Sequence, residues 1–175
     1  MKNAVVVLMC LWGLTGCRQP VSYRYAEGKI YGTFYHISYA SSGDLHRELR
    51  ERMEAVNASL SMFNPHSVIA KINRNESNQT DSLFRKMFDM AQEVYRQTEG
   101  GYDITVAPLV NAWGFGVGQK DVPDSARVDS LLALVGMDKL QLVGDDLIKV
   151  LPEMKLDASS IAKGLGVDLV AEYLE

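Results

Sequence analysis

The strongest constraint on this chain is that its opening residues take both cysteines out of folding. Met1, Lys2 and Asn3 give a short positive start, Ala4 to Gly13 is an uncharged and mostly apolar run, and Leu14-Thr15-Gly16 leads into Cys17. This is the layout of a secretory signal, and its apolar run is too short to span a bilayer as a helix. A cysteine directly after small residues has the form of a lipobox, with cleavage before Cys17 and a diacylglycerol on its thiol. An ordinary signal with an incidental cysteine is the alternative, but such signals end in A-x-A-like sites and this one does not. Cys10 then leaves with the signal and Cys17 is acylated, so no thiol remains for a disulfide, a metal or a nucleophile. The domain must hold itself together by a packed core.

The expected division is residues 1–16 as lipoprotein signal, 17–22 as a short tether, and 23–175 as the domain. The expected location is the bacterial cell envelope, lipid-anchored on a periplasmic or other extracytoplasmic face. Loss of Lys2 leaves 17 basic against 22 acidic residues, a net charge of −5. That mildly acidic balance argues against nucleic-acid binding and gives no sign of a basic membrane patch.

Lys29 to Tyr39 is rich in Tyr, Thr, Phe and Ile and reads as one strand, with Ser41 to Gly43 as a turn. Leu45, Leu49, Met53, Val56 and Leu60 recur at steps of three and four, the mark of an amphipathic helix. Asn64-Pro65 breaks it, and Val68 to Ile72 reads as one short helical turn. Thr80 is the expected N-cap of a helix carrying Leu83, Phe84, Met87, Ala91, Val94 and Tyr95, ended by Gly100-Gly101. Val128 to Val135 is a further helix closed by Gly136. Leu140–Val143 and Ile148–Leu151 are expected to pair across Gly144-Asp145-Asp146. A last helix starts near Ser159. Strands and helices mix without a regular βαβ rhythm, which favours an α+β fold. The last helix still presents Leu169, Val170, Tyr173 and Leu174 at Glu175, and an apolar face needs something to pack on. The expectation is therefore that the chain is the first part of a longer protein, truncated at its C-terminus.

Four segments carry candidate chemistry. Gly32, within Tyr31-Gly32-Thr33-Phe34, marks either a bulge or the close approach of a ligand to a strand. Ser61 to Ser67 puts Phe63 in a tight loop, either as a core plug or as a ring to stack on a flat ligand, while His66 reads as a surface residue. Gly101 to Gly116 combines Tyr102, Asp103, a Pro108 suited to a first helical turn, and the run Trp113-Gly114-Phe115-Gly116. Large rings among glycines suit a nucleotide or a packed turn, and spacing does not decide between them. Leu156 to Gly164 runs from a short strand into a helix whose free N–H groups suit an anion. There Lys163 adds positive charge, Asp157 accepts a ring N–H or caps the helix, and Ser160 offers oxygen to a hard cation. A plain helix start with Asp157 or Ser159 as cap and Lys163 in solvent is equally consistent.

Taken together and in order, these four segments resemble the FAD:protein FMN transferase family, the ApbE family long labelled thiamine-biosynthesis lipoproteins. The resemblance implies a mixed helix-and-strand flavin transferase fold. It also implies FAD as substrate with a divalent cation, usually Mg²⁺. FMN would pass to a Thr or Ser hydroxyl of an exported acceptor, often a subunit of a membrane electron-transfer complex, with release of AMP. Carried over residue by residue, Tyr31 stands where the family has a Met near the flavin. Phe63 stands where the family often has a Tyr stacking on FAD. Gly101, Tyr102 and Asp103 match a segment lining the FAD site, and Asp157 matches a flavin-contacting Asp. Ser160 matches a metal-ligand position and Lys163 an FAD-contacting one. The family continues with a Gly-rich strand, a His-containing motif and further metal ligands, none of which can be placed before Glu175. A fragment of this extent is expected to be weak or inactive alone. A metal-dependent FAD pyrophosphatase and a non-catalytic FAD-binding lipoprotein are the competing functions.

Overall fold

The computed structural model describes residues 22–116 and 122–175. Cys17 and the signal lie outside the described residues. Strand β1 (Tyr23–Ile30) pairs antiparallel with β2 (Thr33–Ala40), with Ile30 opposite Thr33. The single strand expected over Lys29 to Tyr39 is therefore two strand ends joined by a turn at Tyr31-Gly32. Both turn residues have positive φ, 53° and 71°, the signature of a type I′ hairpin turn. Tyr is a strand former and a poor candidate for that region, so its presence hid the turn. Holding it there costs about 1–2 kcal/mol.

Helix α1 (His46–Leu60) follows and buries Leu49, Met53, Val56 and Leu60, the stripe that the sequence spacing picks out. Short helix α2 (Val68–Asn73) is capped by Ser67, whose hydroxyl accepts from the Ala70 N–H. Helix α3 (Ser82–Gln97) has Asp81 as its N-cap, not Thr80. The Asp81 carboxylate accepts from the Phe84 N–H and from the Ser59 hydroxyl, each at 2.7 Å, so one cap also ties α3 to α1. Thr80 instead donates its N–H and its hydroxyl to the Asp145 carbonyl at 2.7 and 2.8 Å. Gly100, at φ 85°, closes α3 with its N–H on the Tyr95 carbonyl.

A 3₁₀ turn (Ile104–Val106) opens α4 (Ala107–Ala112), with Pro108 in its first turn as expected. Helix α5 (Ser125–Leu132) starts three residues earlier than the apolar pattern suggests, because Asp124 caps it. After a 3₁₀ turn (Met137–Lys139), β3 (Leu140–Val143) pairs with β4 (Asp146–Lys149). Val143 faces Asp146, so the loop is Gly144-Asp145 alone and the second strand begins two residues before its expected start. A positive φ of 61° at Gly144 satisfies the first position of a type II′ turn, and the shorter loop shifts the register. Helix α6 (Ser159–Leu174) ends the chain.

The core falls into two clusters. The larger gathers Val56, Leu60, Ile69, Phe84, Phe88, Leu156 and Leu165 with their neighbours. The smaller sits under the hairpin, where Ala26, Ile30 and Tyr39 meet Leu49 and Met53 of α1 and Val170 of α6. Tyr173 and Leu174 pack against the same cluster, and the Arg52 guanidinium covers the Tyr173 ring at 4.8 Å. The apolar face of α6 that seemed to want a partner thus finds one within the chain, on α1 and the hairpin.

The start of α6 is set by two polar clamps. The Asn73 amide bonds both backbone groups of Leu156 at 2.8 Å, acting as a piece of strand. The Lys149 ammonium donates to the carbonyls of Ile72, Pro152 and Met154 at 3.0–3.1 Å. Burial holds its pKa below the usual lysine value, with Lys155 adding to the effect. Replacing Lys149 by Met leaves three carbonyls short of a donor. We expect a loss of about 1–3 kcal/mol in unfolding free energy, measured by urea denaturation; an unchanged midpoint would show the clamp to be idle.

Candidate functional site

The hairpin turn, the C-terminal end of α1 and the first turns of α6 enclose a cleft of about 540 Å³. Tyr31 and Gly32 form one wall, Asn57 and Leu60 the floor, Phe63 the rim, and Ser159, Ala162 and Lys163 the opposite side.

Each wall is built by its own local chemistry. Tyr31 packs against both core clusters, and its hydroxyl donates to the Met53 carbonyl at 2.7 Å. Burial, with Glu54 adding to it, pushes the phenol pKa far above the usual tyrosine value. Beneath the ring lies Gly166, where a Cβ would meet the Tyr31 hydroxyl at 2.6 Å. No larger residue than glycine fits there without moving the ring.

The loop after α1 is tied by three small polar residues. Ser67, fully buried, donates its hydroxyl to the Ser61 carbonyl at 2.7 Å. Asn64 accepts from the His66 N–H at 3.0 Å, and its own N–H bonds Ser61. This leaves Phe63 67% exposed at the rim. Phe63 is therefore not a core plug, and its ring is free to meet a flat ligand. His66 is exposed, as expected.

Lys163 stands on the exposed side of α6 and has no ion-pair partner among the described residues. Ser159, Ala162 and Lys163 share a helix face at steps of three and four, so the lining role of Ser159 and Ala162 was available from periodicity. The lining by Asn57 was not, because it depends on how α1 meets α6.

The other expected residues stand behind the cleft. Gly101 turns the chain, with its N–H on the Thr98 carbonyl at 2.9 Å. The Asp103 carboxylate accepts from the Thr105 N–H and hydroxyl at 2.7 and 2.6 Å, and from the Met137 N–H at 3.2 Å. It is a brace between the two 3₁₀ turns. Asp157 accepts from the Ser159 N–H at 2.8 Å, while its own N–H bonds the Ile104 carbonyl. Helix α6 has Ala158 at its N-cap position, with no side-chain cap bond. The Tyr102 hydroxyl meets the Ser160 hydroxyl at 2.8 Å. Burial raises the Tyr102 pKa, and the Ser160 bond partly offsets that. Trp113 and Phe115 are exposed and do not line the cleft.

Among the described residues, no three His, Cys, Asp or Glu side chains gather to hold a metal ion. Ser160 is engaged by Tyr102 and Asp157 by a backbone N–H. The described residues do not by themselves gather a set of carboxylate ligands for a Mg²⁺ ion. The cleft does suit a flat aromatic ring beside an anionic group: Phe63 offers a face, Gly32 an open backbone, and Lys163 a free positive charge.

The same architecture is found in solved flavin transferases. The fold superimposes on the Flavin Transferase ApbE from Vibrio cholerae with a TM-score of 0.82 at 33% identity, over 89% of this chain and 54% of that one. It matches the apo Pseudomonas stutzeri flavinyl transferase ApbE with a TM-score of 0.79 at 28% identity, over 88% of this chain and 55% of that one. Residues 31–175 match the model of the ApbE family, and the chain belongs to that family. Its curated relatives include proteins named FAD:protein FMN transferase. The one from Vibrio cholerae is 35% identical, over all of this chain and 56% of that protein. The one from Haemophilus influenzae is also 35% identical, over 99% of this chain and 55% of that protein. The chain spans about half the length of the curated relatives it matches.

Two measurements probe the Tyr31 wall. Tyr31→Phe keeps the ring and loses the bond to Met53, at a cost of about 0.5–1.5 kcal/mol. The raised phenol pKa also has a sign. Below the unfolded value near 10 the stabilisation is complete, and it is lost as pH rises above that value towards the folded one. Thermal melts of the wild type should therefore fall more steeply above pH 10 than those of Tyr31→Phe; parallel curves would show that the phenol does not report on folding.

Proposed function

We propose that this chain supplies the flavin-binding cleft of an FAD:protein FMN transferase, with FAD as substrate and an exported protein as acceptor. The observation that carries the reading is the convergence of Tyr31, Phe63 and Lys163, distant in sequence, on one cleft in a fold shared with flavin transferases. In this reading the isoalloxazine ring lies against Phe63 and the Tyr31–Gly32 turn, and the Lys163 ammonium faces the pyrophosphate.

The transfer joins the acceptor's Thr or Ser oxygen to the phosphorus on the FMN side. The pyrophosphate P–O bond breaks, AMP leaves with the bridging oxygen, and the hydroxyl proton passes to solvent or a base. Such chemistry depends on position and charge neutralisation, with little covalent work for the protein. Lys163 offsets charge on the pyrophosphate, while Asp157 and the Tyr102–Ser160 pair hold the start of α6 where Lys163 can do so. Mg²⁺ is the cation implied for the family, and when bound it would neutralise phosphate charge. No step through it is assigned to the residues described. The acceptor is read as an envelope protein, such as a subunit of a membrane electron-transfer complex, reached by an enzyme lipid-anchored through Cys17.

FAD titration followed by flavin fluorescence tests the cleft. We expect saturable binding, weakened roughly ten- to a hundredfold by Lys163→Ala, the worth of one charge-assisted contact. EDTA tests the metal separately: we expect this chain to keep its affinity, because among the described residues no three His, Cys, Asp or Glu side chains gather at the cleft; a loss of binding in EDTA would place a metal there. Incubation of the full-length product with an acceptor domain then separates the functions, this chain alone being expected to be weak or inactive. AMP with an FMN mass increase on the acceptor marks transfer, AMP with free FMN marks a pyrophosphatase, and bound FAD without AMP marks a binding protein.

A further inference from the structure

The hairpin has one face that no other described element covers. Tyr23, Tyr25, Glu27 and Lys29 alternate along β1 with the inward Ala26 and Ile30. Lys29 stands opposite Phe34, Glu27 opposite His36, and Tyr25 opposite Ser38. Tyr23, Tyr25 and Phe34 are 65, 79 and 66% exposed. A ribbon that shows three large rings to water marks an interaction surface.

What covers it follows from the chain that precedes it. Tyr23 lies six residues after Cys17, so the two are never more than about 20 Å apart. Eight-residue strands make the hairpin about 26 Å long. The rings mark both of its ends, with Tyr23 and Tyr25 near the tether and Phe34 beside the Tyr31-Gly32 turn. We propose that this face lies flat on the headgroup layer of the bilayer that holds Cys17. The inference rests on the lipid-anchor reading of Cys17 and is independent of the flavin reading.

The side chains suit that layer. Aromatic rings with an apolar body settle at the membrane interface, and the tyrosines keep their hydroxyls among the headgroups. Lys29, whose ammonium lies 4.9 Å from the centre of the Phe34 ring, reaches towards phosphate while its stem covers the ring. The Glu27–His36 pair, 3.3 Å apart on the same face, keeps its polar atoms at headgroup level. A net charge of −5 makes attraction to anionic lipid a poor driving force, so the rings and the covalent anchor carry the contact. One consequence concerns reach. An upright hairpin would lift the cleft about 25 Å above the bilayer, whereas a flat one keeps Tyr31 and the cleft at the surface. The acceptor hydroxyl served is then one held close to the membrane.

Brominated phosphatidylcholine vesicles carrying the processed lipoprotein test this. Tyr25→Trp and Phe34→Trp place reporters at the two ends of the face, and Trp113 of the parent protein supplies the background. We expect both reporters to be quenched several-fold more than Trp113, with no change between low and high salt. Quenching at position 25 alone means an upright hairpin, and quenching at neither means that something other than lipid covers the face, a further part of the protein included; either outcome overturns the proposal. The mass of the N-terminal peptide reports acylation separately. Unacylated protein with both reporters quenched would sink the anchor and leave the surface standing.

Discussion

Tyr31 is the point on which the arrangement depends. It turns the hairpin in a conformation that side chains avoid, and three contacts hold it there. Its hydroxyl bonds the Met53 carbonyl on α1, its ring touches both core clusters, and Gly166 on α6 leaves it room. That one side chain thereby touches hairpin, α1 and α6 at once, beside the packing of Ala26, Ile30, Leu49, Met53 and Val170. The cleft is the space left where those three elements fail to close. Its shape is a consequence of core packing, which gives it the rigidity that positional chemistry requires.

The polar residues divide into two groups by what they touch. Phe63 and Lys163 face the cleft with no hydrogen-bond or ion-pair partner among the described residues. Asp103, Asp157, Tyr102 and Ser160 are engaged with the chain itself, bracing the 3₁₀ turns and the start of α6. This division gives the family pattern a physical sense. In the proposed reading a long, charged, flexible dinucleotide must be held still, and these bracing residues would serve that by keeping the wall still. Lys149 and Asn73 extend the brace from behind, joining α2 and β4 to the segment that feeds α6.

Much of the fold was legible in the chain. The stripe from Leu49 to Leu60 and the start of α6 near Ser159 were read from spacing, because an amphipathic helix carries its burial pattern locally. The misread elements were turns and caps. Tyr31-Gly32 lacks the Asn or Asp that announces a type I′ turn, so two strands were read as one. Thr80 has the right side chain for a cap, but the β3–β4 turn claims it, and Asp81 caps instead. Asp124 was overlooked because the apolar pattern of α5 begins after it. In each case the deciding partner lies many residues away or in a backbone angle that the side chain disguises.

The sequence by itself determined the helices, the mixed α+β character, the family, and the absence of any thiol from residues 23–175. These rest on periodicity, motif order and the position of Cys17, all of which are properties of the chain read in one direction. Only the tertiary structure decided which motif residues face the cleft and which brace its wall. Asp103 and Lys163 look equally suited to FAD in the sequence. One lies beneath three donors and the other faces open space, because the packing of α6 on α1, with Gly166 against Tyr31, turns one side of that helix towards the cleft. That choice is made by contacts between distant segments, which no local pattern encodes.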